Sequence, residues 1–321
     1  MRIAKRLLRR IVPSNILFVK QIGYWYYQRR SIRRLFLHLF KDKTMFLPSY
    51  LPQNGRPLYE VHDWDPSASE VFMTDGYADW GLERVFLSCI EPGGCLIDVG
   101  AHSGYFSHLL YEQCNQFVNI ETSSRCFNEC LMPMKRDWKH KDVFNINSPA
   151  FDEDNVEIEI HDSLEGYGMS KELGQALHGK SRAVKVMKSI TVDSLYDQLM
   201  GLDEFRNSFV SSIKIDVDGC DSEVLRGAMN TIKRFRPVIF MESFSGKDFD
   251  LLSEFDYTIY TMRSNRSDPR FSVFVSINSA EAFNSIWYKM CIAAPSSNSL
   301  LKFFEGMTRD NHDRKHLFID I

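Results

Sequence analysis

The sequence predicts an α/β fold with a mostly parallel central sheet flanked by helices, preceded by a basic helical N-terminal extension. Three observations carry that expectation. From Cys95 onward, short apolar runs alternate with helix-periodic segments. The stretch CLIDVGAHSGY at 95–105 closes a strand on Asp98 and turns sharply between Gly100 and Gly104, as chains do where open sheets present backbone N–H groups to ligands. Acids also end three further strand-like runs: Glu121 after FVNI, Asp216 after SIKI and Glu242 after VIFM. Four such carboxylates predict a pocket for a small, hydroxyl-bearing, cationic ligand.

Taken in order, residues 1–43 form the extension. They carry twelve Lys or Arg against the single acid Asp42, a charge of +11, while the remaining 27 bases and 41 acids give −14 and the chain −3. Ile3, Leu7 and Ile11 share one helical face with basic residues largely elsewhere, and Pro13 interrupts. Two readings stay open: an interfacial helix on anionic lipid, giving a cytoplasmic protein with peripheral membrane contact, or a helix packed on its own body or a twin subunit. No run approaches 18 uncharged apolar residues, so a transmembrane helix is not expected, and charges recur through any would-be signal sequence. An organellar transit peptide is a minor option. Nucleic acid is not an expected partner, because the acidic body shows no recognised binding module. The sequence leaves the oligomeric state open.

Residues 44–92 read as a linker and pre-domain segment, with a helix at 82–90 halted by Pro92 and Gly93. The main domain spans 93–305. Strand 95–99 leads to helix 105–113, and strand 117–120 to helix 125–132. VEIEIH at 156–161 alternates as a half-buried strand, and EGYGMS at 165–170 is a glycine-bearing loop able to lie over a ligand. A strand at 184–190 precedes a helix that Thr191 or Asp193 can cap. Strand 213–217 turns at Asp218-Gly219 into a helix at 222–235, which ends before Pro237. Strand 238–241, helix 248–255, strand 256–261, a last strand at 286–293 and a short helix at 299–304 complete the domain. Residues 306–321 are a solvated tail, and no internal repeat is present.

The 44% hydrophobic content, 24 Phe and 13 Tyr fit a filled interior. The seven Cys include no CxxC pair, and the Cys126/Cys130 spacing lacks a completing ligand, so reduced thiols are expected and no metal site. Gly100 permits the sharp turn and close ligand approach, Ala101 and His102 fill it, and Gly104 allows tight helix–sheet contact. Glu121 stands where doubly wound folds bind ribose hydroxyls. A dinucleotide and an adenosyl cofactor both fit that geometry. The GxxxG spacing is a poor pyrophosphate cradle, and Asp98 beside it repels phosphate while favouring an ammonium or sulfonium.

Those residues carry a resemblance. Over roughly 70–245 the chain resembles the FkbM family of S-adenosylmethionine-dependent methyltransferases. The matching blocks are LIDVGAHSGYFS at 96–107, NIETSSRCFNEC at 119–130, SITVDSL at 189–195, IKIDVDGCDSEVLRGAM at 213–229 and RPVIFMES at 236–243. The family commonly has Asn where His102 stands, Glu where Asp218 stands, and Pro where Thr122 stands. The resemblance implies a Rossmann-like class I methyltransferase fold, with Asp98, Gly100 and Gly104 holding the amino-acid part of S-adenosylmethionine and Glu121 its ribose; Ala101 and His102 complete the cofactor turn, where His102 is expected to pack or hydrogen-bond near the cofactor rather than act as a base. It also implies O-methylation of a sugar, glycan or lipid-linked saccharide. Losing the hydroxyl proton calls for a base or a metal. Asp216 and Asp218 are the first choices, Lys214 and Glu242 the supporting ones; a divalent cation on Asp216, Asp218 and Glu242 is the lesser reading. The alternatives are a nicotinamide-dependent oxidoreductase and a non-catalytic, membrane-associated binding protein on the same fold. His161 is expected to be structural.

Overall fold

The computed structural model describes residues 45, 46, 48, 51, 55–62, 64, 65, 67, 71, 79, 82–162, 167, 168, 183–205, 208–217, 219–242, 245–265, 268–277, 279–281 and 290–298. The expected N-terminal helix, the 299–304 helix, the C-terminal tail and Asp218 lie outside them. Among the described residues no helix is long and apolar enough to cross a membrane.

A short antiparallel pair, β1 (Met45–Phe46) with β2 (Tyr59–Glu60), precedes helix α1 (Leu82–Cys89). Strand β3 (Cys95–Val99) and helix α2 (Tyr105–Leu109) follow, then β4 (Gln116–Ile120). Helix α3 (Ser124–Cys126) runs through a π turn at Phe127–Leu131 into α4 (Met132–Asp137), and β5 is Asp142–Ile146. Strands β6 (Glu157–Asp162), β7 (Tyr167–Gly168) and β8 (Ala183–Lys188) form a separate antiparallel sheet in the order β7-β6-β8. Then come α5 (Val192–Met200), β9 (Val210–Ile215), α6 (Asp221–Arg226), α7 (Met229–Phe235), β10 (Val238–Met241) and α8 (Gly246–Glu254). The last strands are β11 (Tyr257–Asn265), β12 (Asp268–Ile277) and β13 (Cys291–Pro295).

The main sheet has the order β12-β11-β13-β10-β9-β3-β4-β5. The pairs from β10 through β9, β3 and β4 to β5 are parallel; those linking β10, β13, β11 and β12 are antiparallel. Parallel strands need both faces covered, and the alternation along β3 does this. Leu96 faces the layer of Phe86, Phe106, Phe117 and Phe240, whereas Cys95, Ile97 and Val99 face that of Val118, Tyr196, Ile213 and Ile239. Each large apolar side chain so buried contributes about 1.5–3 kcal/mol.

Several elements depart from expectation for stated reasons. The helix predicted at 105–113 stops at Leu109, and the chain then turns so that Gln113 O accepts the Gly93 N–H at 2.7 Å. The helix predicted at 222–235 is two helices broken at Gly227, where a Cβ would stand 2.1 Å from Phe151 O. Thr191 caps α5 by accepting the Ser194 N–H; Asp193 instead accepts the Asn230 and Thr231 N–H groups at the start of α7, joining the two helices. Within the glycine-bearing stretch at 165–170, Tyr167–Gly168 pairs with β6 as a strand. Strands β5 and β12 were not anticipated; of the last strand expected at 286–293, residues 286–289 lie outside the described residues and Cys291–Ala293 fall within β13.

Candidate active site

Because β10, β9, β3 and β4 are adjacent and parallel, their carboxyl ends share one edge. The register sets Asp98 opposite both Lys214 and Asn119. Glu121, Asp216 and Glu242 each follow their strand directly, so the four acids found in the sequence converge there. Lys214 is buried among them, with Nζ 3.5 Å from Asp98 Oδ1 and 3.4 Å from Asp216 Oδ2, and it donates to Gly100 O at 2.7 Å. Burial disfavours its charge, yet the Asp216 and Asp98 carboxylates hold its pKa above the ordinary lysine value.

Asp98 is wholly buried beneath the turn, and neither carboxylate oxygen has a hydrogen-bond partner. Burial pushes its pKa up to about 6, against the pull of Lys214. Above the turn, Glu121 Oε2 accepts the His102 N–H and Oε1 the Ser123 N–H, both at 2.6 Å. Each oxygen keeps a lone pair for another donor. Asp216 is the open member, with 39% of its side chain exposed. Glu242 donates its backbone N–H to Ile215 O at 3.2 Å and stands at the same edge.

Gly100 has φ 73°, and a Cβ there would lie 1.9 Å from Asp216 O. The left-handed φ fits the sharp turn expected of this glycine, and the residue directly after β9 adds a second demand for a missing side chain. At Gly104, φ 80°, a Cβ would meet Leu131 Cδ2 at 3.2 Å and Met134 Sδ at 3.3 Å, so the close contact is with the helix after β4 rather than with the sheet. Ala101 is buried in the turn, and its N–H donates to Ile120 O. For His161 only the backbone is described, as part of β6.

Sequence reasoning missed two groups. Asp221, at the start of α6, is buried, with Oδ1 unpartnered and Oδ2 accepting the Gly219 N–H at 3.4 Å. Burial first, then the Asp216 carboxylate, raise its pKa to about 7. The second group is the segment holding Tyr59, Trp64 and Asp65, which lies against Ser103 and His102. The acid five residues beyond Asp216 was the available signal for the first; contacts spanning some forty residues left none for the second.

The edge suits a cationic ligand with hydroxyls: Asp98 and Asp216 share one committed ammonium, and neither buried Asp98 oxygen has a hydrogen-bond partner. Among the described residues, no cluster of three or more His, Cys, Asp or Glu is arranged to hold a metal ion.

The family model described as the methyltransferase FkbM domain matches residues 98–268. No curated protein sequence matches the chain. Among solved structures, the chain is similar to the FkbM methyltransferase from Methylobacillus flagellatus, with 13% identity and a TM-score of 0.37 over 73% of this chain and 55% of that one. The chain therefore spans about half the length of that relative. It is also similar to an rRNA methylase from Streptococcus thermophilus, at 6% identity and TM-score 0.34, covering 67% and 93% of the two chains. The M. capricolum TrmK bound to S-adenosylhomocysteine gives 9% identity, TM-score 0.33 and 68% coverage of each chain. With the family model matching over half of its length, the chain belongs to the FkbM family of S-adenosylmethionine-dependent methyltransferases.

Proposed function

We propose that the chain transfers a methyl group from S-adenosylmethionine to a hydroxyl of a sugar, glycan or lipid-linked saccharide. The observation that supports this most is the gathering of Asp98, Glu121, Asp216 and Glu242 at one sheet edge, with buried Lys214 between Asp98 and Asp216. Glu121 holds the ribose hydroxyls through its spare lone pairs while its backbone contacts keep it in place. Asp98, beneath the turn of Gly100, Ala101, His102 and Gly104, supplies negative field for the ligand's cationic end. When bound, the cofactor supplies an electrophilic methyl group on a sulfonium.

Proton handling falls to the chain. Asp216, the exposed carboxylate, accepts the hydroxyl proton of the acceptor; Asp218, two residues on in the sequence, is the second choice for that role, and Glu242, directly after β10, orients the acceptor. Lys214 fixes the Asp216 and Asp98 carboxylates relative to each other. Much of the acceleration comes from this positioning. The basic arm at 1–43 suits a phosphate-bearing lipid carrier of the saccharide.

The cofactor assignment is tested by thermal unfolding. S-adenosylmethionine at about 100 times its Kd should stabilise the chain by about 2.7 kcal/mol, and NAD by nothing. Absence of a shift at saturation refutes the site. Glu121→Ala should weaken cofactor binding more than Asp218→Ala; equal losses would undo those roles. The acceptor class is tested by radiolabelled methyl transfer to lipid-linked and free saccharides, and transfer to neither removes it.

A further inference from the structure

The cofactor turn has a second wall, built from the segment before the domain. Tyr59 Oη lies 2.5 Å from Ser103 Oγ, and the Tyr59 ring packs on Tyr105 and His108 with centroids 5.6 and 5.2 Å apart. Fully buried Asp65 places Oδ2 3.7 Å from His102 Nδ1, which also lies 3.2 Å from Ser103 Oγ. Trp64 stands edge-on to His102 at 6.5 Å, its own faces covered by His62 at 5.0 Å and the Arg125 guanidinium at 4.4 Å. The imidazole thus has a buried carboxylate near Nδ1 while 32% of its side chain is exposed.

The main chain at His102 is left-handed, φ 50°, a conformation that non-glycine residues hold mainly where surrounding contacts impose it. Here the Glu121 carboxylate grips its N–H. Among the described residues, three titratable groups act on the ring: Asp65 from the pre-domain segment, Glu121 from the end of β4, and the Cys126 thiol from α3. Burial works against the imidazolium; Asp65 leads the groups that favour it, and together they hold the pKa well above the ordinary histidine value.

We propose that the His102 imidazolium, backed by Asp65, is the cationic contact for the carboxylate of the cofactor's amino-acid part. The proposal rests on the cofactor reading above and deepens it. S-adenosylmethionine carries an α-carboxylate as well as its ammonium and sulfonium, and the sheet edge is lined by acids that repel the first while attracting the other two. Lys214 is buried and committed to Asp98, Asp216 and the Gly100 carbonyl. Arg125 lies over Trp64 and pairs with Glu129 at 3.2 Å. His102 sits in the turn itself, with a buried carboxylate near Nδ1. Tyr59, Trp64 and Asp65 are then a working wall of the site rather than a lead-in.

The test is calorimetric binding by the full chain of S-adenosylhomocysteine and of decarboxylated S-adenosylmethionine, which lacks only the carboxylate of the cofactor. His102→Gln should weaken S-adenosylhomocysteine about ten- to a hundredfold and leave the decarboxylated ligand within about threefold. Wild-type affinity for S-adenosylhomocysteine should fall as pH rises through the imidazolium pKa, that for the decarboxylated ligand should not, and Asp65→Asn should move the fall to lower pH. Equal losses for both ligands, or a wild-type pH profile common to both, overturn the proposal. The wild-type comparison stands even if a variant fails to fold. Failure of the wild type to bind either ligand would instead sink the cofactor reading, before any variant is made.

Discussion

Replacing Gly100 with Ala separates two costs that the neighbouring Gly104 does not share. Both glycines are left-handed, at φ 73° and 80°, so an added Cβ costs each about 1–2 kcal/mol in backbone strain. At Gly104 the atoms nearest the new methyl belong to the side chains of Leu131 and Met134, at 3.2–3.4 Å, and these can yield. At Gly100 it would lie 1.9 Å from Asp216 O and 2.9 Å from Asp216 C, so the ends of β3 and β9 must move apart. Overpacking of that kind adds about 1–3 kcal/mol. Expected losses are therefore about 2–5 kcal/mol for Gly100→Ala and about 1–2 for Gly104→Ala, read as urea midpoints at equal m. The first variant also displaces the Asp216 end of the Lys214 pair, so methyl transfer should fall further than cofactor affinity. A Gly100→Ala variant as stable as Gly104→Ala would refute the tight strand contact on which this rests.

Gly227→Ala has helical φ, and its propensity gain of about 1 kcal/mol should be outweighed by the 2.1 Å approach to Phe151 O; a stabilised variant in urea would show that the Phe151 loop gives way. Asp221 is protonated more readily folded than unfolded, so its contribution to stability should decline as pH rises from about 4 to about 7. Asp221→Asn should flatten the melting temperature over that window, and parallel curves would contradict the burial argument. Asp98 ionises near pH 6, so affinity for the cationic cofactor should strengthen between pH 5 and 7. In Asp98→Asn that rise should vanish while the unliganded chain melts no lower than wild type; a retained rise in a binding titration would move the effect to another group.

What the sequence disclosed was local. The acids at 98, 121, 216 and 242 could be placed because each ends an apolar run, and parallel strands bring such ends together. Strand β3 and strand β10 were legible to the residue. Strand β5, DVFNI, alternates weakly between polar linkers, and its pairing with β4 is what makes it a strand. The break at Gly227 depends on a carbonyl 76 positions earlier in the chain, and the Asp65–His102 contact joins segments 37 apart. No periodicity records such meetings. The packing demand at Gly100 was hidden for the same reason: nothing local shows that the Asp216 carbonyl lies against it.

One carboxylate yokes two loops. Since Glu121 grips the His102 N–H with one oxygen and the Ser123 N–H with the other, disturbance of either loop is felt in its neighbour. Halves of a ligand lying on opposite sides of that yoke cannot settle independently. Adenosine seated alone should stiffen the purchase for a methionine fragment, and by reciprocity methionine should do the same for adenosine.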